Sequence, residues 1–262
     1  MKLKGKVVLV TGASSGFGEQ ICYEAAKEGA IVIVCARRIQ LIGAVKERCM
    51  EYSQQPAYAY QMDVANPEKV DHVLARIEDE VGAIDVLVNN AGYGLFEDFV
   101  NTSFEEIRNM FEVNVLGLMY ITKRVAVKMI EQGSGHVINV ASIAGKMATP
   151  KSSIYSATKF AVLGFSNSIR LELKSFNIHV TTVNPGPMET NFFDKADPEE
   201  VYLSKVQPFL TEPAFLARKI VKIIGKPRRE INKPLIMAAA AKAYVLFPRV
   251  GDYLAGGIFN KK

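Results

Sequence analysis

The sequence predicts a single α/β domain built on a doubly wound parallel sheet with helices on both faces, and three observations predict it. Short runs dominated by valine and isoleucine recur along the chain, stretches of amphipathic helical character separate them, and the alternation continues without a break in composition to about residue 185. Strands covered on both faces require such near-continuous apolar runs, whereas a strand with one wet face would alternate.

Taken in order, Val7–Val10 is the first strand, because the basic Met1–Lys6 and the short apolar stretch after it do not make a signal peptide. Thr11–Gly18 is a glycine turn that opens a helix over Glu19–Glu28. Further strands are expected at Ala30–Ala36, Tyr58–Met62, Val86–Asn89, His136–Val140 and His179–Asn184, with helices between them. From Pro185 to Pro213 the pattern loosens into proline, phenylalanine and acidic residues. So long an excursion in a compact domain is usually functional, and residues 187–213 are expected to form a flap over a site. A helix follows over Ala214–Gly225, then a strand at Arg228–Asn232 and an apolar helix from Leu235 through Phe247, ending at Pro248. The extension 228–262, with Lys242, Arg249, Lys261 and Lys262 in or after that helix, is expected to pack on the domain, on a neighbouring subunit or on a membrane surface. Capping the cleft is a further alternative, and subunit packing is the first choice.

Composition bounds the function. With 262 residues, 49% apolar and 23% charged, the chain can bury one large core and is not expected to be disordered. Its longest apolar runs, Ala30–Ala36 and Leu235–Ala241, fall far short of the roughly 20 residues needed to cross a bilayer, so a soluble protein is expected. Cys22, Cys35 and Cys49 are odd in number and lack CxxC spacing, which points to buried thiols in a reducing, cytoplasmic setting. His72, His136 and His179 share no ligand spacing, so neither a metal site nor a catalytic histidine is expected. The net charge of +5 suits an anionic cofactor, and without a basic stripe interleaved with aromatics no nucleic-acid partner is expected.

The turn Thr11-Gly12-Ala13-Ser14-Ser15-Gly16-Phe17-Gly18 follows a predicted strand and opens a predicted helix, the context a dinucleotide fingerprint requires. Glycines admit a pyrophosphate to the backbone, and the helix start offers it free N–H groups and the positive dipole end. About 20 residues on, where an acid would take the ribose hydroxyls, stand Arg37 and Arg38, two guanidiniums suited to a 2′-phosphate. The cofactor expected is therefore NADP(H) in a Rossmann fold.

TGxxxGxG at Thr11–Gly18, Asn89-Asn90-Ala91-Gly92 and Tyr155-Ser156-Ala157-Thr158-Lys159, with Asn114, Ser142 and Pro185-Gly186…Thr190 in order, resemble the short-chain dehydrogenase/reductase family over about residues 5–195. The resemblance implies that Gly12, Ser14, Ser15, Gly16, Phe17 and Gly18 meet the cofactor phosphates and that Asp63 and Val64 contact the adenine. It implies further that Asn90, Ala91 and Gly92 line the ribose and nicotinamide, and that Pro185, Gly186 and Thr190 hold the carboxamide end. It assigns Ser142 to the reacting oxygen, Lys159 also to the nicotinamide ribose, and Asn114 to a water-mediated proton relay; a buried asparagine at a helix kink would be compatible with that role. A homodimer or homotetramer, formed in part by the helices holding Asn114 and Tyr155, is also implied.

The chemistry can be argued beside the resemblance. Hydride transfer to a carbonyl needs a proton donor at the developing alkoxide, and the reverse reaction needs a base. Tyr155 serves both directions if its phenol, ordinarily near pKa 10, is lowered by roughly 2 to 3 units, about 3 to 4 kcal/mol. Lys159, one helical turn on, supplies the positive charge. Position relative to the motifs assigns Tyr93, Gly94, Leu95, Phe96, Ser142, Ala144, Met188, Phe192 and Phe193 to the substrate pocket, whose side chains suggest an apolar carbonyl or secondary alcohol. The glycine-rich DGG-like ending of acyl-carrier-protein reductases is missing, and the tail is more like that of members acting on lipid-like or steroid-like carbonyls. Two other readings remain: a nucleotide-binding regulator without turnover, which predicts damage to Ser142, Tyr155 or Lys159, and a sugar-nucleotide epimerase or dehydratase, for which the chain is short.

Overall fold

The structure, a computed structural model, describes residues 1–197, 203 and 206–256. Seven parallel strands, β1 (Val7–Thr11), β2 (Ile31–Ala36), β3 (Ala57–Gln61), β4 (Val86–Asn89), β5 (Gly135–Val140), β6 (Ile178–Pro185) and β7 (Glu230–Lys233), form one sheet in the order β3-β2-β1-β4-β5-β6-β7. The first helices are α1 (Gly16–Lys27), α2 (Ile39–Ser53) and α3 (Pro67–Glu80). They are followed by α4 (Phe104–Phe111), α5 (Leu118–Gln132) and α6 (Ser153–Glu172). The carboxyl-terminal part adds α7 (Phe192–Ala196), α8 (Pro213–Ile223), α9 (Leu235–Leu246) and α10 (Pro248–Gly256).

The central strands bury both faces, which is why the sequence reads there as apolar runs. From β1, Val8 and Val10 enter one core layer with Ile21 of α1, Ile42 of α2 and Leu216 of α8; Val7 and Leu9 enter the other with Val70 of α3, Ile121 of α5 and Ile169 of α6. Two helix starts are capped by side chains. The Asn66 side chain accepts from the Lys69 N–H at the start of α3, and Ser103 accepts from the Glu106 N–H at the start of α4. The strand order reverses between β1 and β4, and this opens a crevice beyond their carboxyl ends, where ligands of doubly wound sheets bind.

Three local features add to or change what the sequence predicts. The last strand begins at Glu230 instead of Arg228, because Arg228 turns its N–H onto the Lys226 carbonyl and its Nε onto the Glu230 carbonyl. The helix from Leu235 ends at Leu246, as expected just before Pro248, but Pro248 then occupies the first position of a further helix, α10, where its missing N–H costs nothing. Between α4 and α5 the chain widens into a π-helical turn at Glu112–Gly117, the kink at Asn114. Of the expected flap, α7 and a 3₁₀ turn at Gln207–Phe209 are described, while 198–202 and 204–205, like Lys261 and Lys262, lie outside the described residues. No described helix is long and apolar enough to cross a membrane.

Candidate active site

A cavity of about 1230 Å³ opens over the carboxyl ends of β1, β4, β5 and β6. It exceeds the roughly 300–1,000 Å³ of a single small-ligand pocket, which leaves room for a dinucleotide and a second molecule. Its floor includes Gly12, Ser14, Ser15, Gly16, Phe17, Gly18, Arg37, Arg38, Asp63, Val64, Asn90, Ala91, Gly92, Ser142, Tyr155, Lys159, Pro185, Gly186 and Thr190.

The glycine turn is locked to the neighbouring strand end. Thr11 Oγ1 accepts the N–H groups of Asn90 and Ala91, both at 3.1 Å, and the Asn90 amide donates to the carbonyls of Thr11 and Gly12, again at 3.1 Å. Gly12 sits at φ +64°, and a methyl on it would come within 2.6 Å of Ala91 Cα; one on Gly18 would meet the Gly12 carbonyl oxygen at 2.5 Å. The glycines thus serve packing as well as access. The Asn90 side chain, expected toward the ribose, is spent on this lock.

The turn suits a phosphate. Ser15, at the N-cap of α1, makes no side-chain capping bond, so the first-turn N–H groups are left without that partner. Its Oγ instead accepts from Arg38 at 2.8 Å, and Ser14 Oγ accepts from the same guanidinium at 2.8 and 3.2 Å. Arg37 is exposed beside it at the end of β2. The Asp63 carboxylate accepts the Ala65 N–H at 3.1 Å, a turn-forming contact after β3. These groups fit an anionic dinucleotide with a phosphorylated adenosine end.

Tyr155 and Lys159 lie one turn apart on α6, both buried, with the Lys159 ammonium 5.6 Å from the Tyr155 ring centroid. Lys159 Nζ donates to the Val140 carbonyl at 3.1 Å, and burial pushes its pKa down to about 8. It therefore remains mostly charged at neutral pH. Ser142, at the end of β5, accepts the Ala144 N–H at 3.1 Å and donates a long 3.4 Å bond to the Pro185 carbonyl. Asn114 is buried behind these groups and does not line the cavity; its amide donates to the Tyr93 carbonyl and to Thr158 Oγ1, and its oxygen accepts the Tyr93 N–H. Both ends of its side chain are thus engaged.

On the opposite wall, Phe96 and Phe192 approach the Tyr155 ring with centroids at 6.2 and 5.5 Å, and Tyr93, Ala144, Met188 and Phe193 join them. Gly94 is buried against the Tyr155 and Phe192 rings, where a methyl would clash. Leu95 is a correction: it is not part of the cavity lining, because Phe96 takes the cavity-facing place while its N–H anchors the segment to the Ala196 carbonyl.

Sequence reading missed two groups. Asn89, Thr122, Asn139 and Ser166 form a buried polar chain beneath the site, with bonds of 2.8 to 2.9 Å linking them. Its signal was an asparagine within each of two apolar strands. The second group comprises Met147, Met237, Tyr244 and Phe247, which close the cavity from the end of β5 and from α9; nothing local in the sequence directs them there. No group of three metal-ligating side chains occurs among the described residues.

Comparison with known proteins adds three findings. The short chain dehydrogenase family model matches residues 6–201. A Drosophila melanogaster protein described as dehydrogenase/reductase SDR family protein 7-like is 35% identical over 192 residues, 72% of this chain but 59% of that protein, so the match spans well under two thirds of its length. Among solved structures, a short-chain dehydrogenase from Streptomyces avermitilis is similar at 31% identity and TM-score 0.82, covering 95% of this chain and 96% of that one. Another, from Sphingobium yanoikuyae in complex with NADPH, is similar at 27% identity and TM-score 0.81, covering 94% of each chain.

Proposed function

Since the chain belongs to the short-chain dehydrogenase family of oxidoreductases, we propose that it transfers a hydride between NADP(H) and the carbonyl or secondary-alcohol carbon of an apolar small molecule. The observation that carries the reading is a buried Lys159 one helical turn from Tyr155 at the floor of an aromatic cavity. NADP(H), when bound, donates or accepts the hydride.

The protein's own groups do the rest. The glycine turn and the start of α1 hold the pyrophosphate, and Arg37 and Arg38 hold the 2′-phosphate. Asp63 and Val64 border the adenine; Asn90, Ala91, Gly92 and Lys159 border the ribose; Pro185, Gly186 and Thr190 hold the carboxamide. Tyr155 gives its phenolic proton to the developing alkoxide, or takes the alcohol proton in the reverse direction. The Lys159 ammonium stabilises the phenolate left behind. Ser142 exchanges its long bond to Pro185 for one to the reacting oxygen. Asn114 fixes the wide turn and the Tyr93 backbone beside a proton relay. The bound NADPH of the Sphingobium relative supports the cofactor, and the Phe96, Phe192, Phe193 and Met188 lining supports an apolar substrate. Exposed Leu116, Phe160 and Leu171, in the π turn and on α6, support a homo-oligomer.

Titration with NADPH and NADH tests the reading, followed by cofactor absorbance against aldehydes, ketones, quinones and steroid-like carbonyls. Tighter binding of NADPH, with oxidation by at least one apolar carbonyl, is expected. Binding of neither nucleotide would overturn the assignment, and binding without turnover on any carbonyl would favour a regulator.

A further inference from the structure

Helix α9 separates two different surfaces. One stripe, Ile236, Met237, Ala240, Ala243, Tyr244 and Phe247, faces the active-site cavity. The stripe on the other side, Leu235, Ala238, Ala239 and Lys242, borders a second groove of about 800 Å³, and the helical period continues it to Leu246. The outer side of α9 and α10 exposes large apolar side chains beside the exposed Arg249 and Asp252: Leu246 is 72% exposed, Val245 69% and Tyr253 72%. Around the groove stand Lys219, Lys222, Lys226, Arg228, Lys233 and Lys242, none of them in an ion pair among the described residues. The acid in the groove wall, Glu230, is already neutralised by Lys146.

From this pairing of an apolar stripe with an unneutralised cationic rim, we propose that α9 and α10 dock the protein on the surface of a bilayer containing anionic lipid. The apolar side chains enter the headgroup boundary, and the lysines meet the phosphates, Lys242 reaching outward along its aliphatic stem. Over the described residues neither helix is long enough to span, so the pair lies in the plane of the surface. A second copy of the chain is the poorer occupant, because a two-fold contact sets each cationic rim against its own copy. Docked in this way, a single helix separates the bilayer from the cavity, and an apolar substrate reaches Tyr155 from the lipid. That route rests on the proposed carbonyl chemistry; the docking does not.

Sedimentation of the whole protein with vesicles tests the docking. The protein is expected to pellet with phosphatidylcholine vesicles containing phosphatidylglycerol, to remain in the supernatant with phosphatidylcholine alone, and to be released by salt. Val245→Ser with Leu246→Ser, and separately Lys222→Glu with Lys226→Glu, should each lower the partition coefficient at least about tenfold while leaving the NADPH titration unchanged. Absence of pelleting, or equal pelleting of both variants and wild type, would overturn the proposal. So would light scattering that shows Leu246→Ser dissociating an oligomer, since the face would then belong to a second copy. Vesicle binding is read without substrate, so its failure is distinguishable from a failure of the hydride-transfer reading.

Discussion

The two walls of the active-site cavity are built by opposite means. On the cofactor side, main-chain groups, Gly12 and Gly18 without room for a methyl, and the Thr11–Asn90 lock hold the turn in place. On the far side, rings and a thioether from α7 and α9 meet Val250 and Ala255 of α10 by contact, with a Tyr244–Asp252 hydrogen bond at 2.8 Å tying α9 to α10. Phosphate recognition and proton transfer demand positions held to fractions of an ångström, whereas an apolar substrate demands only shape. The first wall is therefore written in motifs and the second in bulk.

If that division is right, substitutions on the first wall should damage chemistry or cofactor choice, and those on the second should alter only substrate affinity. The largest effect is expected from Tyr155→Phe, which should lower kcat by about 10²- to 10⁴-fold and leave NADPH affinity within about twofold in a fluorescence titration. Near-normal turnover would remove Tyr155 from the mechanism.

Next comes the pH dependence of the free protein. Folded Lys159 releases its proton at about 8 while the unfolded chain holds it to 10.5, so between these values the unfolded state binds more protons. Stability from this group thus rises with pH across that window and is lost as pH falls back through 8, by about 3 kcal/mol in all. Urea unfolding at pH 7.5 to 10.5 should show Lys159→Met lacking that increment relative to wild type. Parallel curves would show that burial does not penalise the ammonium.

Replacing Arg37 and Arg38 together by alanine should weaken NADPH by about 10- to 100-fold and NADH by less than about threefold. Equal losses would mean that the pair holds the turn through Ser14 and Ser15 without reading a 2′-phosphate. The smallest change is expected on the far wall. Phe247→Ala should raise KM for a bulky apolar carbonyl by about three- to tenfold, with kcat within about twofold and stability within about 0.5 kcal/mol. A comparable loss of kcat would erase the distinction between the walls.

The same contrast explains what could be read from the chain alone. The first six strands end within one residue of where the apolar runs end, and in the central strands this is because a buried parallel strand needs apolar residues at every position. The turn, Arg37, Arg38, Tyr155 and Lys159 were visible because their geometry comes from local spacing. Leu95 was misplaced because side-chain direction in an irregular segment depends on long-range bonds such as that from Phe96 to Ala196. The second helix after Pro248 was hidden because proline marks a helix start as readily as an end. Met237, Tyr244 and Phe247 became part of the site only through packing across more than 80 residues of chain from Tyr155.

The Thr11–Asn90 lock has a consequence for motion. Asn90 and Ala91 are in a connecting segment, yet their amide hydrogens are held by a threonine that is itself 1% exposed at the end of a central strand. Opening that segment means breaking the sheet end with it. In hydrogen–deuterium exchange these two amides should keep time with β1 and β4, exchanging only when the whole domain unfolds. Nucleotide entering the cavity thus meets a floor already set, and ordering of the chain on binding is left to the far wall.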